Sequence, residues 1–180
     1  EQAKGFLPTT EFYNRIYGQK GWKAITIRSL SIGQGEILVT PLQLANQAAA
    51  IANKGYYITP HFNRNDSMKS DIHTTLVDST HFDVIHRGMA RVMTDGTGRW
   101  YNIPELQMCG KTGTVQNPHG EDHALFIGFA PKDNPQIAVA VAVENAGFGA
   151  TWACPIATLV MEQYLTGEIK RNWLYNRMVN

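Results

Sequence analysis

The 180-residue chain has only two cysteines, Cys109 and Cys154. That is too few for a disulfide framework or a thiolate metal pair, so both are expected to be buried as small apolar side chains. Nothing around Cys109 predicts a lowered thiol pKa, which marks it as structural. Long apolar runs are also missing. The longest, Ile137 to Val143, is far short of the roughly 20 residues a bilayer-crossing helix needs. The opening residues, Glu1-Gln2-Ala3-Lys4-Gly5, lack the basic start and apolar stretch of a signal peptide, and they lack a Met, as expected for a piece of a longer chain. Charge of one sign is absent too. With 16 basic against 15 acidic residues and a net charge of +1, no dense cationic cluster is available for a nucleic acid. The densest basic stretch, Lys170-Arg171 with Arg177 beyond it, reads as a solvated tail.

What is present is a globular composition, 43% hydrophobic, of a length that suits one domain with a real core. A short helix is expected from Thr9 or Thr10, and Ser31-Ile32-Gly33-Gln34-Gly35 reads as a glycine-punctuated loop. Thr40-Pro41 opens the clearest helix, filled by Leu42, Leu44, Ala45, Ala48, Ala49, Ile51 and Ala52 and stopped by Gly55. Tyr56 to Thr59 is extended ahead of Pro60, and His61 to Asp71 is a polar surface loop. Phe82, Ile85, Met89 and Val92 share one face of a helix from Ser79 to Met93, ended by Thr94-Asp95-Gly96-Thr97-Gly98. Three strands follow, at Met108 to Gln116, Ala124 to Ala130 and Ile137 to Glu144. A helix from Thr151 to Leu165 and a Trp-bearing tail close the chain.

Short links between consecutive strands favour an antiparallel meander. The fold class is therefore α+β, an antiparallel sheet flanked by helices. Along Ile137 to Glu144, valines alternate with alanines, so both faces are apolar and covered, as in a central strand.

The chemistry concentrates in Cys109-Gly110-Lys111-Thr112-Gly113-Thr114-Val115-Gln116. A phosphate-binding loop fails here. Glu105 stands where a glycine is needed, and Gly113, Thr114, Val115 and Asn117-Pro118 oppose a helix after Thr112. Read as a strand, the segment puts Lys111 and Gly113 on one face and Thr112 and Thr114 on the other. It can offer an ammonium, two hydroxyls and edge N–H groups to an anion, with Gly113 allowing close approach.

The context is more specific than the tetrapeptide. Lys111-Thr112-Gly113-Thr114 is followed by His123-Ala124-Leu125-Phe126-Ile127-Gly128-Phe129-Ala130-Pro131 and Ile137-Ala138-Val139-Ala140-Val141. It is preceded by Leu30-Ser31-Ile32-Gly33-Gln34-Gly35 and Thr40-Pro41-Leu42-Gln43-Leu44-Ala45. Together, from about Phe6 to Leu165, these resemble the class B penicillin-binding proteins, most closely the elongation-type transpeptidases.

The resemblance implies a partial β-lactamase/transpeptidase-like fold and acyl transfer. In that chemistry a serine attacks a D-Ala-D-Ala stem peptide, D-Ala leaves, and a second stem's amine takes the acyl group. It implies peptidoglycan stem peptides and β-lactams as ligands, and elongation-complex membrane proteins as partners of the parent. No cofactor and no metal are implied. The parent is expected to be anchored in the bacterial cytoplasmic membrane with this domain outside the cytoplasm. Carried over by motif, Lys111 holds the substrate's terminal carboxylate and tunes a second-motif serine, and Thr112 and Thr114 offer hydroxyls to that carboxylate. The Thr114 N–H is an oxyanion donor, worth about 2.7–4 kcal/mol in a transition state. Gly113 makes room for substrate, and Gln116 lines the acceptor side.

The family pattern also needs Ser-x-x-Lys and a Ser-x-Asn-type triplet. None of Ser29, Ser31, Ser67, Ser70 or Ser79 has Lys three residues on, and no Ser-x-Asn occurs. Residues 1–180 are therefore expected to be the C-terminal portion of a transpeptidase domain, inactive alone, with truncated surfaces that favour self-association. The alternative is a non-catalytic penicillin-binding-like module that binds a peptide or protein partner. His119 and His123 do not form H-E-x-x-H, and Pro118 and Gly120 oppose a helix that would align them, so loop hydrogen bonding is the simpler reading. Trp100 and Tyr101 fit a cleft rim or a packed core equally. Trp152 and Trp173 are expected to pack helices.

Overall fold

A computed structural model describes residues 3–61 and 71–180. They fall into two compact units, one ending at Thr40 and the other running from Pro41 to Asn180.

In the first unit, α1 spans Thr10–Tyr17, and the Thr9 hydroxyl caps it by accepting the Phe12 N–H at 3.2 Å. Tyr13 is buried among the rings of Phe12, Tyr17 and Trp22. Its hydroxyl donates to the Glu36 carboxylate at 2.8 Å, and the Tyr17 hydroxyl donates to the same group at 3.2 Å. A second helix, α2, covers Ala24–Ser31. The sequence reading assigns no element there, because Ile25-Thr26-Ile27 is β-branched and disfavours helix. The glycine loop after it is present, with Gly33 and Gly35 both at positive φ.

The second unit opens with α3, Pro41–Ala52, with Pro41 at its first position, where a missing N–H costs nothing. The helix stops as expected at Gly55, whose φ of 113° suits glycine and whose N–H reaches the Ala50 carbonyl. Strand β1, Tyr56–Ile58, pairs antiparallel with β2, Ile72–Thr74. Most of the polar loop expected between them, residues 62–70, lies outside the described residues. The next helix, α4, spans Ser79–Thr94, and the Asp78 carboxylate accepts the Thr80 N–H at 2.9 Å. A tight turn leads into a 3-10 segment, Arg99–Tyr101.

The sheet is the expected antiparallel meander of β3, Cys109–Val115, β4, His123–Ala130, and β5, Ile137–Val143, in the spatial order β3-β4-β5. The chain ends with α5, Ala153–Thr166, and α6, Asn172–Val179. Phe126 and Phe129 of β4 point to opposite faces. Phe126 packs with Ala153, Cys154, Ala157 and Met161 of α5, while Phe129 packs with Ala52 of α3, Met89 of α4 and Cys109. Both faces of β5 carry packing, Val139 and Val141 against the α5 core and Ala138 against the α3/α4 core, but the cover is incomplete, since Ala142 is exposed. Among the described residues β4 is the middle strand of the three, and β5 pairs with it alone.

The tail also departs from the sequence reading. It is not simply solvated. The Arg171 Nε donates to Glu162 at 2.8 Å, and both side chains are largely out of water. Glu162 further accepts the Lys170 N–H at 3.0 Å, and Arg171 Nη1 donates to the Tyr101 carbonyl at 2.7 Å. Trp173 is 60% exposed and Trp152 38%, so neither is the packing residue expected; buried Leu174 fills that role in α6. Tyr101 is in the core and Trp100 is at the surface, with the Arg99 guanidinium stacked over it.

Candidate active-site strand

The Lys111–Thr114 segment lies in β3, and the face alternation is as the sequence predicts. Register pairs Cys109 with Phe129 and Thr112 with Phe126. Residues 109, 111 and 113 therefore share the α3/α4 face, and 110, 112 and 114 the α5 face. β4 occupies one side of β3. Along the other side no strand pairs with it among the described residues, so every second residue turns its N–H and C=O outward there.

The side chains are set as follows. Lys111 is exposed, and its ammonium donates to the Thr112 carbonyl at 2.7 Å. The Thr112 hydroxyl lies 2.9 Å from that of Thr97, in the turn after α4. The Thr114 hydroxyl accepts the Gly149 N–H at 3.5 Å. Gly113 has room for no ordinary side chain without pressure, since a Cβ there would stand 3.2 Å from that of Leu125. Gln116 is exposed just past the strand. The structure thus brings Lys111, Thr112, Gly113 and Thr114 to one open edge and leaves Gln116 at its rim.

Two neighbours are not legible in sequence. Gly149 comes so close to the sheet that a Cβ would fall 2.2 Å from the Gly113 carbonyl oxygen and 2.3 Å from that of Leu125. Only glycine lets the segment after β5 lie against β3 and β4. Thr97 is the other; its glycine-flanked setting reads simply as a helix stop.

The loop after β3 is held by its own polar groups. The Asn117 N–H donates to the Asp122 carboxylate at 3.1 Å, the Asn117 amide donates to the Asn145 side-chain oxygen at 2.7 Å, and His123 Nδ1 accepts the Asn145 N–H at 3.0 Å. These bonds give His123 a structural task. Among the described residues no three His, Cys, Asp or Glu side chains converge as metal ligands. Burial pushes both thiols up to about 12, and Cys109 and Cys154 are fully buried as expected.

The family model for the penicillin binding protein transpeptidase domain matches residues 8–162. The chain belongs to this family. Its similarity runs to the class B, penicillin-binding protein 2-like members. It is 34% identical to the peptidoglycan D,D-transpeptidase MrdA of Acinetobacter baumannii, over 91% of this chain but 28% of that protein. Crystalline Pseudomonas aeruginosa PBP2 in complex with WCK 5153 superposes with a TM-score of 0.79 at 37% identity, covering 96% of this chain and 41% of the other. Penicillin-binding protein A of M. tuberculosis, solved as an imipenem acyl-enzyme complex, gives a TM-score of 0.68 at 31% identity, covering 77% and 33%. The chain therefore spans less than a third of the curated relative's length. The α+β fold inferred from the sequence is the fold of these transpeptidases. No described helix is long and apolar enough to cross a membrane.

Proposed function

We propose that this chain is the C-terminal part of a D,D-transpeptidase domain that cross-links peptidoglycan stem peptides. The observation that carries the reading is the open edge of β3, with Lys111, Thr112 and Thr114 along it. An extended peptide can lie beside such an edge and take backbone hydrogen bonds from it, while its terminal carboxylate meets the ammonium and the hydroxyls.

The parent supplies the nucleophilic serine and its lysine base. That serine attacks the carbonyl of the penultimate D-Ala, the C–N bond to the last D-Ala breaks, and the amine of a second stem then displaces the serine oxygen. Lys111 acts electrostatically, Thr112 and Thr114 bind the carboxylate, and the Thr114 N–H stabilises the developing oxyanion. Gly113 leaves the peptide space, and Gln116 borders the acceptor side. β-Lactams acylate the same serine. The parent sits in the cytoplasmic membrane with this domain outside the cytoplasm, among the membrane proteins of cell elongation.

The test is acylation by labelled penicillin. The full-length parent is expected to form a stable adduct, and Lys111→Ala to slow its formation by at least about 100-fold, the scale of losing an electrostatic group from such a site. The 180 residues alone, without Ser-x-x-Lys, are expected to form none. An adduct on any of their serines would overturn this reading. A parent lacking both upstream motifs would favour the non-catalytic binding module.

A further inference from the structure

We propose that Thr97 is a positioning residue: its hydroxyl donates to Thr112 and thereby turns the Thr112 O–H toward the anion bound at the β3 edge. The inference rests on the carboxylate site proposed above and adds a residue that no motif contains.

A threonine hydroxyl has one proton to give and two lone pairs to accept with. The two oxygens stand 2.9 Å apart, so one of the two protons lies between them. If Thr112 donates, its proton is spent on Thr97 and only lone pairs are left for the β3 edge, which repels an anion. If Thr97 donates, the Thr112 proton is free for the carboxylate. An anion at the edge selects the second arrangement, and a chain of O–H···O–H···O⁻ contacts polarises along its length. The Lys111 ammonium, 2.7 Å from the Thr112 carbonyl, adds positive potential at the same residue.

The Thr97 oxygen is placed by backbone. The Asp95 and Gly96 N–H groups both donate to the Arg91 carbonyl at 2.9 Å, and the Gly98 N–H donates to that of Val92 at 2.9 Å. The turn is pressed onto α4 so closely that a Cβ on Gly96 would stand 2.8 Å from the Val92 Cα, and one on Gly98 2.6 Å from the Met93 sulfur. Downstream, the 3-10 segment is clamped from α5 and α6. Arg171, paired with buried Glu162, donates to the Tyr101 carbonyl, and Arg177 donates to the Tyr101 hydroxyl at 3.1 Å. A second hydroxyl is thus fixed beside Thr112 by a framework that extends to the last helix.

The experiment uses the full-length parent and two probes, labelled penicillin as the free acid and as its methyl ester. The wild type is expected to react faster with the acid. Thr97→Val, which removes the hydroxyl with little change of shape, is expected to slow the acid reaction about tenfold, the scale of one hydrogen bond. It should leave the ester rate unchanged. Thr97→Ser should restore the acid rate, and Thr97→Val added to Thr112→Val should cost nothing further. The acid-to-ester ratio is a property of the folded fraction, so partial unfolding of a variant does not imitate the effect. Equal loss on both probes, or no loss on either, overturns the relay while leaving the transpeptidase reading intact. A wild-type parent that reacts with neither probe ends both.

Discussion

Glu162 is 2% exposed and carries its charge beside Arg171. Truncating one member of such a pair strands the other in a poorly hydrated site, so Glu162→Ala is expected to lower unfolding stability by about 3 kcal/mol. Urea denaturation of the parent reads this directly. The pair is not legible in sequence, because Arg171 lies beside Lys170 at the end of the chain and its partner is nine positions back on another element. The thiols are legible. Each is held up to about 12, above the ordinary value of 9.0. The native chain is therefore expected to resist a maleimide at pH 8 and to react at both sulfurs in urea. In the folded state the neutral thiols persist while unfolded thiols ionise. The stability they lend is full below about pH 9 and declines as pH climbs toward 12. The Lys-Thr-Gly-Thr run is legible through its spacing and flanking strands. Thr97 is hidden because its partner, Thr112, is brought to it only by the packing of α4 on β3.

Glycines set what the elements tolerate. Gly149→Ala places a methyl against two backbone carbonyl oxygens that have no rotamer to retreat into. The melting temperature is expected to fall by an amount equivalent to about 1–3 kcal/mol, as in other overpacked sites. Gly88 is the contrast. It lies within α4, exposed, and a methyl added there would meet nothing within 4 Å. Gly88→Ala is expected to stabilise by about 0.5–1 kcal/mol through helix propensity. Helices α3 and α4 and the three strands of the meander can be read from periodicity and stop signals. α2 and α6 cannot, since β-branched residues argue against the first and a polar, Trp-bearing composition masks the second. The Val/Ala alternation in β5 reports correctly that both faces pack against other elements, but not that Ala142 stays exposed. Side chains say nothing of lateral neighbours, so the pattern does not report which strands flank β5.

At the scale of the whole molecule, β3 presents an unpaired ladder among the described residues. Unpaired edges recruit a second strand. The isolated 180-residue chain is expected to elute in size-exclusion chromatography ahead of its 20.1 kDa mass, and a clean, well-folded monomer would count against that expectation. The family can be read from sequence because the linked motifs keep their order along nearly the whole chain. The two compact units cannot, because no shift in composition marks the passage from Thr40 to Pro41. The sheet itself has a consequence under oxidising conditions. Cys109 packs against one of its faces and Cys154 against the other, so the folded protein keeps its only two thiols on either side of a wall. Oxidation can join them only after that wall has come apart. A cross-linked chain is therefore a lasting record of an earlier unfolding event.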